Sequence, residues 1–421
     1  MSSMVKFLLA IELFFISLIP KAIKTLIGYE GVYINPHFIL MIFILPFFLY
    51  AKIFDFSNLK KFQDIFLLIL LIIFFYFLST LIVMCIGYVD FYYPLSESLR
   101  QFLNYCVIFF PFLFIKSKYV VFALKFLVFF GFLNLCFLIY GIFSVFNIIK
   151  GPDYLTEIIK ESIYAQSWTY FGFIPKFGGF FAESQMLSTF FLICYISLDL
   201  LEHKIGKRKV FSIYKLIFGI SIIFLLSKST IPAFLFYLMF KRGGKKFFIK
   251  KEFFLIFILL ITFYPMVALK QEMLEIFKNK NLEEIALQYS SLGERLFHII
   301  KVFEYMSENI IQLFFGLGPR SYGTLVSLEY PGFFNKYTNP ISVFNVFADI
   351  GFIGFIVFSS FLFMILLKIK NSYIRIAYVS LLLAYLPQMA WGESIIYFYI
   401  AILMNCDRNN RYEALHRRFI L

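Results

Sequence analysis

The 421-residue chain is 61% hydrophobic and only 15% charged, with a mean hydropathy of +0.84. Repeated apolar runs, each long enough to cross about 30 Å of hydrocarbon, exclude an ordinary soluble domain and point to a polytopic helical membrane protein. The formal charge of +14 is concentrated in short connections between those runs, so it reports topology, and no soluble domain remains to carry nucleic acid.

The pattern predicts about twelve spans in a single all-α, membrane-embedded domain covering residues 1–421. The first is Val5–Leu26: Glu12, Pro20 and Lys21 and the missing small-residue cleavage site read as a span, not a signal peptide. Val32–Ala51, Ile65–Ile86, Phe102–Ile115 and Tyr119–Phe146 follow. Beyond them come Phe181–Leu200, Val210–Leu226, Ser229–Phe240 and Phe253–Leu269, then Ile341–Leu367, Ile374–Pro387 and Ile395–Asn405. With this count the Lys60/Lys61, Lys116/Lys118, Lys204–Lys209, Lys241–Lys251 and Lys368–Arg375 connections share one face with the tail at Arg408–Arg418. The positive-inside bias makes that face cytoplasmic and puts both termini on it.

The long, mixed-charge connections 150–180 and 269–340 then face outward, toward the periplasm if the host membrane is an inner membrane. Chemistry on a charged, water-soluble group is expected in those loops, because no P-loop or dinucleotide glycine motif occurs elsewhere. The five cysteines, Cys85, Cys106, Cys136, Cys194 and Cys406, lie in or beside apolar runs without metal spacing. Four scattered histidines offer no zinc or haem site, so no metal and no cofactor are expected.

Within the second loop, Ser291 and Glu294 have the spacing of a capping box, which places Arg295 in the first turn of a helix. A cation beside free helical N–H groups suits an anion, although pairing with Glu294 is the plainer alternative. His298, three residues on, shares the face of Arg295. The loop Phe315-Gly316-Leu317-Gly318-Pro319-Arg320 uses Gly316 and Gly318 for a tight turn that projects Arg320, or simply returns the chain to the bilayer. Lys228 sits in a short hairpin on the outer side, against the positive-inside bias. Lys176 and Glu183 flank the re-entry of the first loop, where a carboxylate is either functional or paired with Lys176 or Lys228. Arg100 opens the fourth span on the same side.

Four stretches carry a resemblance: Lys176 through Glu183, Ser227-Lys228-Ser229, Ser291–Arg295 with Gly316–Pro319, and Asp349-Ile350-Gly351-Phe352-Ile353-Gly354. In this order along the chain they resemble the Wzy-type O-antigen or oligosaccharide repeat-unit polymerases of the polymerase/ligase superfamily. The resemblance implies a GT-C-like, metal-independent, inverting glycosyl transfer on the outer face. Its partners would be undecaprenyl-diphosphate-linked oligosaccharide donor and acceptor, with membrane lipids, a chain-length regulator and a flippase nearby. It implies that Arg295, Arg320, Lys228, Lys176 and Arg100 hold the diphosphate, and that Glu183 or His298 takes a proton from the attacking hydroxyl. Superfamily ligases usually carry a His-Asn pair where this chain has Thr338-Asn339-Pro340, which favours polymerase over ligase. Lysine at 176 and 228, where arginine is commoner, departs from the pattern. A lipid-linked oligosaccharide flippase is the rival of a different class, with charges expected along a central cavity.

Overall fold

The computed structural model describes residues 2–17, 36–87, 92–145, 169–170, 174–175, 184–205, 208–225, 227, 229–242, 292–330, 342–386 and 394–419. Among these the chain is almost entirely helical. It begins with α1 (Ser2–Ser17), α2 (Pro36–Tyr50) and α3 (Gln63–Ile86). Next is α4 (Tyr92–Leu103), which passes through a π-helical turn, Asn104–Phe109, into α5 (Phe110–Leu113) and then α6 (Ser117–Val145). Two-residue strands β1 (Thr169–Tyr170) and β2 (Ile174–Pro175) pair antiparallel, with Thr169 opposite Pro175. Helices α7 (Ser184–Ile205), α8 (Arg208–Phe224) and α9 (Thr230–Arg242) follow. After them come α10 (Leu292–Ser307), α11 (Ile310–Phe315), α12 (Ser321–Glu329), α13 (Ser342–Lys368), α14 (Ser372–Tyr385) and α15 (Ser394–Phe419).

Among the described residues four stretches, Leu59–Ile86, Ser117–Ser144, Ser184–His203 and Val343–Lys368, are helical, long and apolar enough to cross a bilayer. Large side chains such as Phe43, Leu67, Phe74 and Met239 stand exposed on these and the shorter apolar helices. Such surfaces suit hydrocarbon, so the fold is that of a membrane-embedded protein. The expected span Phe253–Leu269 lies outside the described residues. The expected fourth span, Phe102–Ile115, is helical as far as Leu113, and that helix begins upstream, at Tyr92, in an amphipathic stretch ahead of the apolar run. Pro94, Glu97, Ser98 and Gln101 form the buried side of α4 and Leu99 the exposed one. Hydropathy overlooks a helix whose polar side is the inner one.

The chain divides into two compact units, residues 1–58, 103–242 and 371–421, and residues 59–102 and 243–370. In the first, α7 is the central helix and is mostly buried along its apolar length. Gly131 of α6 leaves room for Cys194 and the Phe218 ring, which an added Cβ would meet at 2.6 and 2.7 Å. Asp199 of α7 accepts from Lys215 of α8 at 2.8 Å, and from Lys241 and Tyr237 of α9 at 2.6 and 3.0 Å. Tyr237 also meets the hydroxyl of Tyr373 on α14. Asn405 of α15 donates to the carbonyls of Leu113 and Ile115 at 2.9 and 2.7 Å, satisfying backbone oxygens left open where α5 ends. Away from water these polar contacts fix which helices neighbour one another, since apolar faces alone are interchangeable.

In the second unit α3 runs along α13, and α10, α11 and α12 pack beside α13. Their shared core is Phe297, Val302, Met306, Leu317, Tyr322, Val326, Phe347 and Ala348. This unit holds Arg100, Arg320, Gly316 and Gly318.

Candidate anion site

The site is built on a break in α13. Gly351 has φ 70° and ψ −174°, so the helix kinks there and the carbonyls just before it lose their helical partners. The loop between α11 and α12 replaces them: Leu317 N–H donates to Ala348 C=O at 2.7 Å. Ser79 of α3 donates its hydroxyl to Asp349 C=O at 2.6 Å. Gly316 and Gly351 press backbone on backbone. A Cβ on Gly316 would lie 2.4 Å from Asp349 O, and one on Gly351 2.4 Å from Phe314 O and Gly316 N. Both have positive φ, so glycine is required twice over, for conformation and for closeness. Gly318, at φ 92°, completes the turn against Val83. The predicted glycine loop is therefore a plug seated in the kinked helix.

That seat aims Arg320. Its backbone is left-handed, φ 58°, a conformation that costs a non-glycine residue about 1–2 kcal/mol. Asp349 Oδ1 accepts from Arg320 N–H at 3.1 Å, and Asn345 Nδ2 lies 3.4 Å from Oδ2. The Arg320 side chain turns to α4, where Nε forms a close ion pair with Glu97 Oε2 at 2.7 Å. The other oxygen, Oε1, accepts from Arg100 Nε and Nη2 at 3.0 and 2.6 Å and from Gln101 Nε2 at 2.9 Å. Below, Ser98 donates to Tyr76 C=O and meets the Thr80 hydroxyl, fixing α4 on α3.

The carboxylate is 3% exposed, the Arg100 and Arg320 side chains 20% and 27%. Two guanidiniums thus converge on one buried acid, and both arginine side chains stay partly exposed. Glu97 lies ahead of the fourth apolar run. Burial alone pushes its pKa up, but Arg100, Arg320 and the Arg100 and Gln101 hydrogen bonds outweigh that and carry it down to about 2. Two partly exposed arginine side chains around one carboxylate suit an anion with several oxygens, and the Asp349 carboxyl is a second acidic group beside them.

Of the residues singled out in the sequence, Arg100, Arg320, Gly316 and Gly318 are brought together here. Arg295 belongs to the first turn of α10, its side chain outside the described residues, as are Glu183, Lys176 and Lys228. The helix expected after Ser291 is α10. His298 is fully buried, with Nδ1 2.7 Å from the Tyr322 hydroxyl, so in this conformation it supports α12. Beside it Lys301 bonds Glu329 and Glu304 at 2.6 and 2.9 Å, and Tyr305 donates to Glu329. Burial raises the Glu329 pKa, but Lys301 and Tyr305 win and lower it. Glu97, Gln101, Ser79 and the role of Asp349 were missed by sequence reasoning. The run Ser96-Glu97-Ser98-Leu99-Arg100-Gln101 next to an apolar stretch was the available signal.

Among the described residues no three His, Cys, Asp or Glu side chains are grouped to hold a metal. No protein family, no curated protein and no solved structure matches the chain.

Two outcomes follow from this geometry. Gly316→Ala and Gly351→Ala should sharply reduce the yield of monodisperse protein in detergent. Gly87→Ala meets nothing within 4 Å and bears only its positive φ, so it should lower thermal stability by about 1 kcal/mol. Equal effects at all three positions would refute the seat. Second, Glu97 has a depressed folded pKa, so its stabilisation is complete above pH 4.5 and is lost as pH falls toward 2. Melting temperature should drop across that window in the native protein and less steeply in Glu97→Gln.

Proposed function

We propose that this protein is a repeat-unit polymerase that joins lipid-diphosphate-linked glycans on the outer face of its membrane. The observation that carries the reading is the convergence of Arg100 and Arg320, far apart in sequence, on the single buried carboxylate of Glu97. Both arginines belong to the face that the lysine-rich connections leave free in the twelve-span arrangement. The seat that aims Arg320 is made from the two glycine motifs that carry the resemblance to Wzy-type polymerases, 316–319 and 349–354.

In this reading the arginines bind the diphosphate of the donor. As the glycosidic bond to the diphosphate breaks, negative charge grows on the leaving oxygen, and two pre-set guanidiniums stabilise it. The attacking hydroxyl of the acceptor repeat gives its proton to a general base. Undecaprenyl tails of donor and acceptor would lie along the apolar helix faces, and the GT-C-like arrangement of twelve spans belongs to this proposal too.

The test is complementation of a strain lacking the gene, read as a surface-glycan ladder on a gel. Wild-type protein restores long chains, whereas Arg100→Ala and Arg320→Ala, at equal membrane abundance, leave glycan capped with a single repeat. A full ladder from both variants would refute the assignment. Loss of every repeat unit in the deletion strain would identify a ligase or flippase instead.

A further inference from the structure

The arginines are the obvious ligand-binding groups, but the residue that decides where they stand is Glu97. Each of its carboxylate oxygens faces one guanidinium: Oε1 accepts from Arg100 through two nitrogens, and Oε2 is ion-paired with Arg320 Nε without the alignment of a hydrogen bond. Gln101, one helical turn on, donates to Oε1 as well and keeps the carboxylate facing the loop. Glu97 is nearly inaccessible, whereas both arginine side chains are partly exposed, so an incoming anion meets the arginines before the acid.

We infer that Glu97 is a positioning residue, holding the two guanidiniums side by side so that together they grip an anion with two adjacent acidic groups, a diphosphate ester. The inference rests on the reading of this pair as the anion site and extends it to a residue that touches no ligand. Arg320 needs such a partner because its side chain leaves a left-handed backbone whose N–H is tied to Asp349. With both ends of the residue fixed, little side-chain freedom is left to lose on binding, which is the advantage of preorganisation. The same geometry explains why a negative charge is tolerated next to a site for anions. A ligand bound on the outer edges leaves Glu97 in place behind the arginines, where it holds their orientation.

Charge alone makes the opposite forecast. Removing a buried negative charge beside an anion site raises the local positive potential and should tighten binding. Positioning says that Glu97→Gln weakens it. The measurement is calorimetric titration of the full-length purified protein in detergent with inorganic pyrophosphate, and with orthophosphate for comparison, at constant ionic strength. Wild type should bind pyrophosphate more tightly than orthophosphate. Glu97→Gln should bind pyrophosphate at least tenfold more weakly and lose the preference.

Breaking a buried pair can unfold a protein, so Gln101→Met serves as the milder variant. It removes a neutral donor, leaves both arginines and the acid, and should weaken pyrophosphate binding several-fold with the melting profile retained. Unchanged or tighter pyrophosphate binding in a folded Glu97→Gln or Gln101→Met protein overturns the positioning role and leaves the anion site standing. Absence of pyrophosphate binding in the wild type overturns the anion site itself, and the inference with it.

Discussion

The second unit depends on one backbone contact, that of Gly316 against Gly351. A kinked helix in a membrane protein leaves carbonyls without partners, and each buried orphan costs several kcal/mol in an apolar medium. Here Leu317 N–H and the Ser79 hydroxyl meet two of the freed carbonyls, which is possible only because two residues without side chains let the chains touch. The local strain at Gly351 and Arg320 is thereby held by contacts from α3 and from the loop, not by the kinked helix itself.

The chemistry grows from that contact in short steps. A seated loop sets the backbone of Arg320; Asp349, released by the kink from a plain helical surface, fixes its N–H; Glu97 catches its side chain and couples it to Arg100. Four parts of the sequence, around residues 79, 97–101, 316–320 and 349–351, are joined in one network. An ion pair around one buried acid stabilises less than its charges suggest, because desolvation of the carboxylate offsets much of the attraction. Under the proposed function, the partly exposed arginine side chains are what the anion meets.

Some of this was legible in the chain. The hydropathy runs gave α3, α6, α7 and α13 as membrane-length helices, and a stretch of Gly-Leu-Gly-Pro-Arg gave the tight loop and its arginine. Arg100 was singled out, though only as a charge at the head of a span. The helix that carries it, α4, went unnoticed because its polar side is the buried one, and average hydropathy is blind to the direction a side faces. The Gly351 kink was unreadable as such: a Gly-x-x-Gly pattern inside an apolar run also fits close helix packing. Nor can spacing reveal that residues 97 and 320 meet. That contact is long-range, set by α3 and α13 lying side by side.

The most direct test of the account is reconstitution of the purified protein into lipid vesicles with a lipid-diphosphate-linked repeat unit as sole substrate. Chain length and free lipid diphosphate are read together over time. If the arginine pair holds the leaving diphosphate of a polymerase, longer glycans appear in step with released lipid diphosphate, and Arg100→Ala vesicles yield neither. Glycan that crosses the bilayer unextended, with its diphosphate linkage intact, would contradict it.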